Sequence, residues 1–91
     1  VLLGRKSASE RLATFFLDLL ARREKMTGKV HSEVDLPMSR SDIADYLGLT
    51  KETVSRVLAS LKGKRLIRLA ALNRIEGLDR EALQALADGM S

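Results

Sequence analysis

The stretch Arg-Ser-Asp-Ile-Ala-Asp-Tyr-Leu-Gly-Leu-Thr-Lys-Glu-Thr-Val-Ser-Arg-Val-Leu-Ala-Ser-Leu, Arg40 to Leu61, contains two short helical patterns that meet at a glycine. The first puts Ile43, Ala44 and Leu47 on one face, at i, i+1 and i+4. The second puts Val54, Val57, Leu58 and Leu61 on one face, at i, i+3, i+4 and i+7. Gly48 tolerates the positive φ of a tight inter-helix turn, and Ala44 is small where two helices must approach. Thr50 stands where the second helix needs an N-cap. Leu49 and Val54 fill the angle between the helices. The pattern is that of a helix-turn-helix.

With the core direction set by Val54, Val57, Leu58 and Leu61, the second helix points Glu52, Arg56 and Ala59 outward. Lys51 and Ser55 flank them on one side, Thr53 and Ser60 on the other. A helix that reads DNA needs such a face near its N-terminus, with bidentate groups for base edges and hydroxyls and cations for phosphates. The Arg56 fork suits guanine O6/N7, and Glu52 can accept from the cytosine N4 amine. On an arbitrary helix the same two residues would read as an ordinary i, i+4 ion pair worth about 0.2–0.5 kcal/mol. The helix-turn-helix frame favours base readout.

Composition supports a polyanionic partner through where the charge lies. The chain of 91 residues has a net charge of +4 and suffices for one small domain. From Thr50 to Arg68 the cations are Lys51, Arg56, Lys62, Lys64, Arg65 and Arg68, against the single acid Glu52. There is no cysteine, so no disulfide, thiolate metal site or iron–sulfur site belongs to this chain. His31 is the only histidine and reads as an exposed loop residue rather than a metal ligand. No metal or cofactor is expected, and no apolar run approaches a membrane span or signal peptide, which makes the cytoplasm the expected compartment.

Outside the motif, Val1-Leu2-Leu3 reads as the cut end of an element of a larger protein, and Gly4 as a hinge. Ser7 and Glu10 form a capping box for a helix running to about Lys25. Its core stripe is Leu12, Phe15, Phe16, Leu19 and Leu20. Arg22, Arg23 and Lys25 suit the negative end of the helix dipole, in preference to a second nucleic-acid patch, and Gly28 ends the segment. Alternation around Asp35 predicts a strand at about 33–36, closed by Pro37. Ser39 caps the next helix, with Asp42 at N3, and Ser39 and Arg40 sit where a helix N-terminus can grip a phosphate. After Leu61, the segment Lys62-Gly63-Lys64-Arg65 stops the helix. Leu66, Ile67 and Leu69 read as a strand, Ala70 to Asn73 as a turn and Arg74-Ile75-Glu76 as the returning strand. Asp79 caps a last helix to about Asp88, with Leu83 and Leu86 inward and Gly89 at its end. The expected fold is mainly α with a small β component: a winged helix-turn-helix with a three-helix core, a β-hairpin wing and a C-terminal helix.

These residues resemble the DNA-binding domain of the CRP/FNR family of bacterial transcription regulators. Ser-Glu-Arg-Leu-Ala-Thr-Phe (9–15) looks like the family's first DNA-domain helix, and residues 42–50 look like its helix-turn-helix entry. Glu52-Thr53-Val54-Ser55-Arg56 matches the Glu-x-x-Ser-Arg recognition motif of the FNR and FixK branch. The resemblance implies a dimeric regulator that binds a TTGAT-N4-ATCAA-like palindrome, one half-site per subunit. It places base contacts on Glu52, Ser55 and Arg56, and phosphate contacts on Ser39, Arg40, Thr50, Lys51 and Thr53. It makes residues 1–6 a remnant of the dimerisation helix and hinge, and residues 7–91 the winged-helix domain. A contact with RNA polymerase would fall at about Met26 to Asp35. The competing reading is a winged-helix protein–protein interaction module that binds no DNA. The polar, cationic outer face of the second helix argues against it. An enzyme is a distant third, since a lone histidine and no cysteine leave little chemistry.

Overall fold

In the computed structural model, which describes residues 6–71 and 73–89, four helices enclose one apolar core with a small sheet at its edge. The first helix, α1, spans Ala8–Thr27. It starts where expected, because Ser7 Oγ accepts from the Glu10 amide at 3.2 Å and Glu10 Oε1 accepts from the Ser7 amide at 2.6 Å. Two N–H groups that a helix start leaves orphaned are thereby satisfied. The helix runs one turn beyond Arg23 and ends at Gly28, whose amide donates to Glu24 O. Leu12, Ala13, Phe15, Phe16 and Leu20 are buried along it.

The two helices of the motif are α2, Arg40–Leu47, and α3, Lys51–Gly63. Ser39 and Thr50 cap them through the amides of Asp42 and Thr53. Gly48 turns the chain between them at φ 71°, and Leu49 N donates to Ala44 O at 2.8 Å. Ile43, Ala44 and Val54 are buried at the α2–α3 angle, while Leu49 is half-buried against the same core. Ile43 and Val54 each contribute about 1.5–3 kcal/mol by that burial. From α1, Arg11 Nη1 donates to Leu47 O at 3.0 Å and so fastens the end of α2 to the scaffold. The last helix, α4, spans Arg80–Ala87, is capped by Asp79, and lays Leu83, Leu86 and Ala87 against α1.

The expected hairpin and the expected strand before the motif join in one three-stranded sheet. Its strands are β1, Val34–Asp35, β2, Arg68–Ala71, and β3, Arg74–Glu76. They run antiparallel in the order β1-β3-β2, so the returning strand of the wing is central. Val34 faces Ile75 across one seam and Leu69 faces Ile75 across the other, with an irregularity between Leu69 and Ala71. Ile75 is fully buried. Pro37 follows an edge strand, where a missing donor does no harm. A two-residue β1 is shorter than the predicted 33–36.

The helix-to-wing connection also differs. Gly63 closes the last turn of α3, and Arg65 takes the left-handed conformation, φ 61°. Leu66 does not join the ladder: its amide completes the helix end on Leu61 O at 2.9 Å, and its carbonyl accepts from Asp79 N at 3.0 Å. Ile67 is buried before the strand begins at Arg68. Ala70 and Ala71, expected in the turn, extend β2. The expectations for Val1 to Gly4 and for Leu72 lie outside the described residues.

Candidate nucleic-acid interface

Helical geometry sends the outer residues of α3 into solvent. Glu52, Ser55 and Arg56 are all exposed on its first two turns. The ordinary i, i+4 ion pair is not formed, since no salt bridge among the described residues joins Glu52 to Arg56. The Arg56 guanidinium therefore keeps its donors free. Lys51, Lys62, Lys64 and Arg65 are likewise exposed and without an ion-pair partner among the described residues. Arg68 is different: its Nη2 lies 2.9 Å from Glu76 Oε1, so its charge is largely compensated.

Of the residues expected to meet phosphate, three line one groove of about 530 Å³: Ser39, Arg40 and Lys51. Leu36, Pro37, Met38, Ser41 and Asn73 complete its lining. The groove thus joins the start of α2, the first residue of α3 and the turn of the wing. The amides of Arg40 and Ser41 occupy the first turn of α2, where a helix has no internal acceptor for them. Ser39 Oγ accepts from Asp42 N at 3.2 Å, so its hydroxyl proton remains to donate. Anions gain both from such amides and from the helix dipole.

Thr50 and Thr53 lie outside that groove, at the N-terminus of α3. Thr50 Oγ1 accepts from Thr53 N at 3.1 Å and donates to Thr53 Oγ1 at 2.9 Å. The Thr50 hydroxyl is thus engaged in both directions, and the free proton of the pair sits on half-buried Thr53.

Asn73 is the residue that sequence reading did not single out. Its carbonyl accepts from Leu36 N at 2.7 Å, which holds the wing turn beside the segment leading into α2. Arg74, next in the chain, meets Glu33 at 2.7 Å, Asp35 at 2.9 Å and Glu76 at 3.2 Å. These contacts, that with Glu33 foremost, raise the Arg74 pKa further above its ordinary value. Hydrogen bonds from Arg68 and then Arg74 hold the Glu76 carboxyl below the usual carboxylate range. The node brings β1 and β3 together without leaving a free cation there, two arginines facing three carboxylates. The only available signal for Asn73 was its place as the last residue of the expected turn.

His31 lies in a loop, as expected, but is half-buried rather than exposed. Its ring Nε2 lies 2.6 Å from Thr27 Oγ1, and its amide donates to Glu24 Oε2 at 2.7 Å. Among the described residues no group of three metal-binding side chains occurs, and no helix is long and apolar enough to cross a membrane.

Comparison with known proteins places this geometry in context. A family model described as the Crp-like helix-turn-helix domain matches residues 10–86. The nitrogen fixation regulation protein FixK of Azorhizobium caulinodans is 53% identical over 87 residues, covering 94% of this chain and 35% of that protein. The structure of FixK2 from Bradyrhizobium japonicum superposes with a TM-score of 0.76 at 44% identity, covering 93% of this chain and 40% of that one. The Thermus thermophilus catabolite activator protein superposes with a TM-score of 0.73 at 27% identity, covering 99% of this chain and 38% of that one. The chain spans little more than a third of the length of these relatives.

Proposed function

The chain belongs to the family of Crp-like helix-turn-helix domains, and on that premise we propose that it binds double-stranded DNA sequence-specifically within a longer transcription regulator. The helix from about residue 50 to 62 enters the major groove of an FNR-box-like palindrome of the TTGAT-N4-ATCAA type. Glu52, Ser55 and Arg56 read base edges, while Ser39, Arg40, Thr50, Lys51 and Thr53 hold phosphates and fix the register. The observation that carries this reading is the exposed Arg56, free of an ion-pair partner among the described residues, beside Ser55 and Glu52 on the outer face of α3. Asn73 lines the groove with Ser39, Arg40 and Lys51, so the wing turn joins the phosphate contacts. The named relatives are regulators rather than enzymes. By the same kinship the full-length protein acts in the cytoplasm as a homodimer, one half-site per subunit. The segment at about 26–35 then meets RNA polymerase.

The test is a titration of duplexes carrying the palindrome and single-base variants, at several salt concentrations. Arg56→Ala should cost about 1–3 kcal/mol and relax preference at one guanine. Lys51→Ala should weaken all sequences alike and lower the salt slope by about one. An Arg56→Ala variant that kept both affinity and preference would remove Arg56 from base readout. A wild-type chain with no sequence preference at any salt would favour the DNA-free interaction module instead.

A further inference from the structure

Arg11 stands outside every contact assigned to DNA, yet it touches the helix-turn-helix at its turn. It lies near the start of α1, half-buried, and no salt bridge among the described residues joins it to an acid. Taking a charge partly out of water is costly unless its donors are used. Arg11 Nη1 donates to Leu47 O at 3.0 Å, the carbonyl of the last residue of α2. A carbonyl at that position has no amide of its own helix to accept from, and the negative end of the helix dipole favours a cation there. A Cβ on Gly48 would stand 3.5 Å from the same Nη1, so the guanidinium covers the turn as well.

The helix so held is short. Its 8 residues span about 12 Å, and Ile43 and Ala44 are its buried anchors. Among the described residues no other side-chain hydrogen bond or salt bridge joins α2 to α1. Ahead of α2, Leu36 N donates to Asn73 O at 2.7 Å and holds the segment that leads into Ser39. The helix is thus tethered at both ends, by the wing turn in front and by Arg11 behind. Ser39 and Arg40 occupy the front, and the direction in which they face depends on where the rear is fixed. We propose that Arg11 is a positioning residue for DNA binding: by pinning the rear of α2 through Leu47 O, it sets the direction in which Ser39 and Arg40 present the helix N-terminus to a phosphate. The proposal rests on the DNA reading above and adds to it a residue that touches no nucleotide. Base readout does not pass through Arg11, because Val54, Val57, Leu58 and Leu61 seat α3 in the core.

The test is a double-mutant cycle on the full chain. Each variant is titrated with the palindromic duplex and its single-base variants at several salt concentrations, at a temperature where circular dichroism shows it folded. Arg11→Met should weaken every sequence alike by about fivefold and lower the salt slope by about one. Arg40→Ala should cost about fivefold in the parent chain but less than about twofold in the Arg11→Met background, whereas distant groups acting separately would add. Arg11→Lys keeps the charge and a donor for the carbonyl and should recover most of the affinity. Leu83→Ala, at a fully buried site on α4, lowers stability and should leave affinity and slope unchanged. If Arg11→Met does not fold, Arg11→Gln, a shorter neutral donor, carries the same cycle. Additive losses, an unchanged salt slope, lost base preference, no recovery with lysine, or an Arg40→Ala chain that binds like the parent would each overturn the proposal. A parent chain without preference for the palindrome would overturn the DNA reading itself, and the proposal with it.

Discussion

Two glycines in the DNA-facing half of the molecule should respond to alanine with opposite signs. Gly48 sits at φ 71°, and a Cβ added there would meet Arg11 Nη1 at 3.5 Å, an ordinary van der Waals contact. The cost of Gly48→Ala is then backbone strain alone. A left-handed L-residue costs about 1–2 kcal/mol, and stiffening of the unfolded chain offsets about 0.4–1 kcal/mol of it. The net loss is about 1 kcal/mol, which lowers the melting temperature by about 4–8 °C for a domain of this size. Gly63 lies within α3 at no positive φ, and a Cβ there has nothing within 4 Å. Gly63→Ala should therefore stabilise by about 0.5–1 kcal/mol. Gly28, at φ 71° with open space around it, is the internal control and should match Gly48. Thermal unfolding followed by circular dichroism measures all three. The same sign at positions 48 and 63 would refute the reasoning. A loss above about 4 kcal/mol at position 48 alone would show disruption of the Arg11–Leu47 clasp, since strain does not reach that size.

Other outcomes follow from the same contacts. Ile75→Ala empties a fully buried site between two strands and should cost about 2–5 kcal/mol in urea titrations. Thr50→Ala removes the cap of α3 and should cost about 1 kcal/mol of stability. If the hydroxyl pair also meets phosphate, the variant's DNA affinity should fall by a similar factor at every salt concentration, because an uncharged hydroxyl displaces no counterion. The Glu24 carboxyl is held below its ordinary 4.5 by the hydrogen bond from Arg80 and then by the His31 amide. A depressed carboxylate stabilises the fold above the unfolded value and loses that effect as pH falls through the lower folded value. Stability should thus decline as pH falls below about 4.5, and Arg80→Gln should flatten that decline in acid titrations.

How far the sequence reached depends on how local each determinant is. Ser7, Ser39, Thr50 and Asp79 were readable as caps because a cap and its amide lie within three residues of each other. The buried face of α3 followed from periodicity, as did that of α1 except that Leu19 is only half-buried and Ala13 is buried in the stripe, and the outer placement of Glu52, Ser55 and Arg56 followed from helix geometry alone. The sheet was less legible. Pairing of Val34 with Ile75 joins distant segments through a strand of two residues, which carries almost no period of its own. Arg65, rather than Gly63, took the left-handed turn because α3 continues through Gly63 before the chain reverses. Arg68 counted as a free cation in sequence, yet Glu76 lies opposite it across the ladder. The groove around Ser39 and Lys51 was only partly visible, because Asn73 reaches it through the folded sheet.

The central position of β3 also bears on the order in which this chain folds. The contact between Arg74 and Asp35 spans 39 residues, and all of α2 and α3 lies inside that loop. Such a closure is entropically costly until the enclosed helices have shortened the path. The helical motif should therefore assemble first and the β1–β3 seam zip last. The same seam, only two residues long, should be among the first to open in the native state. Amide exchange at Leu36, bonded to Asn73 O, would report that opening, with the wing parting from α2 while α1 and α4 stay packed.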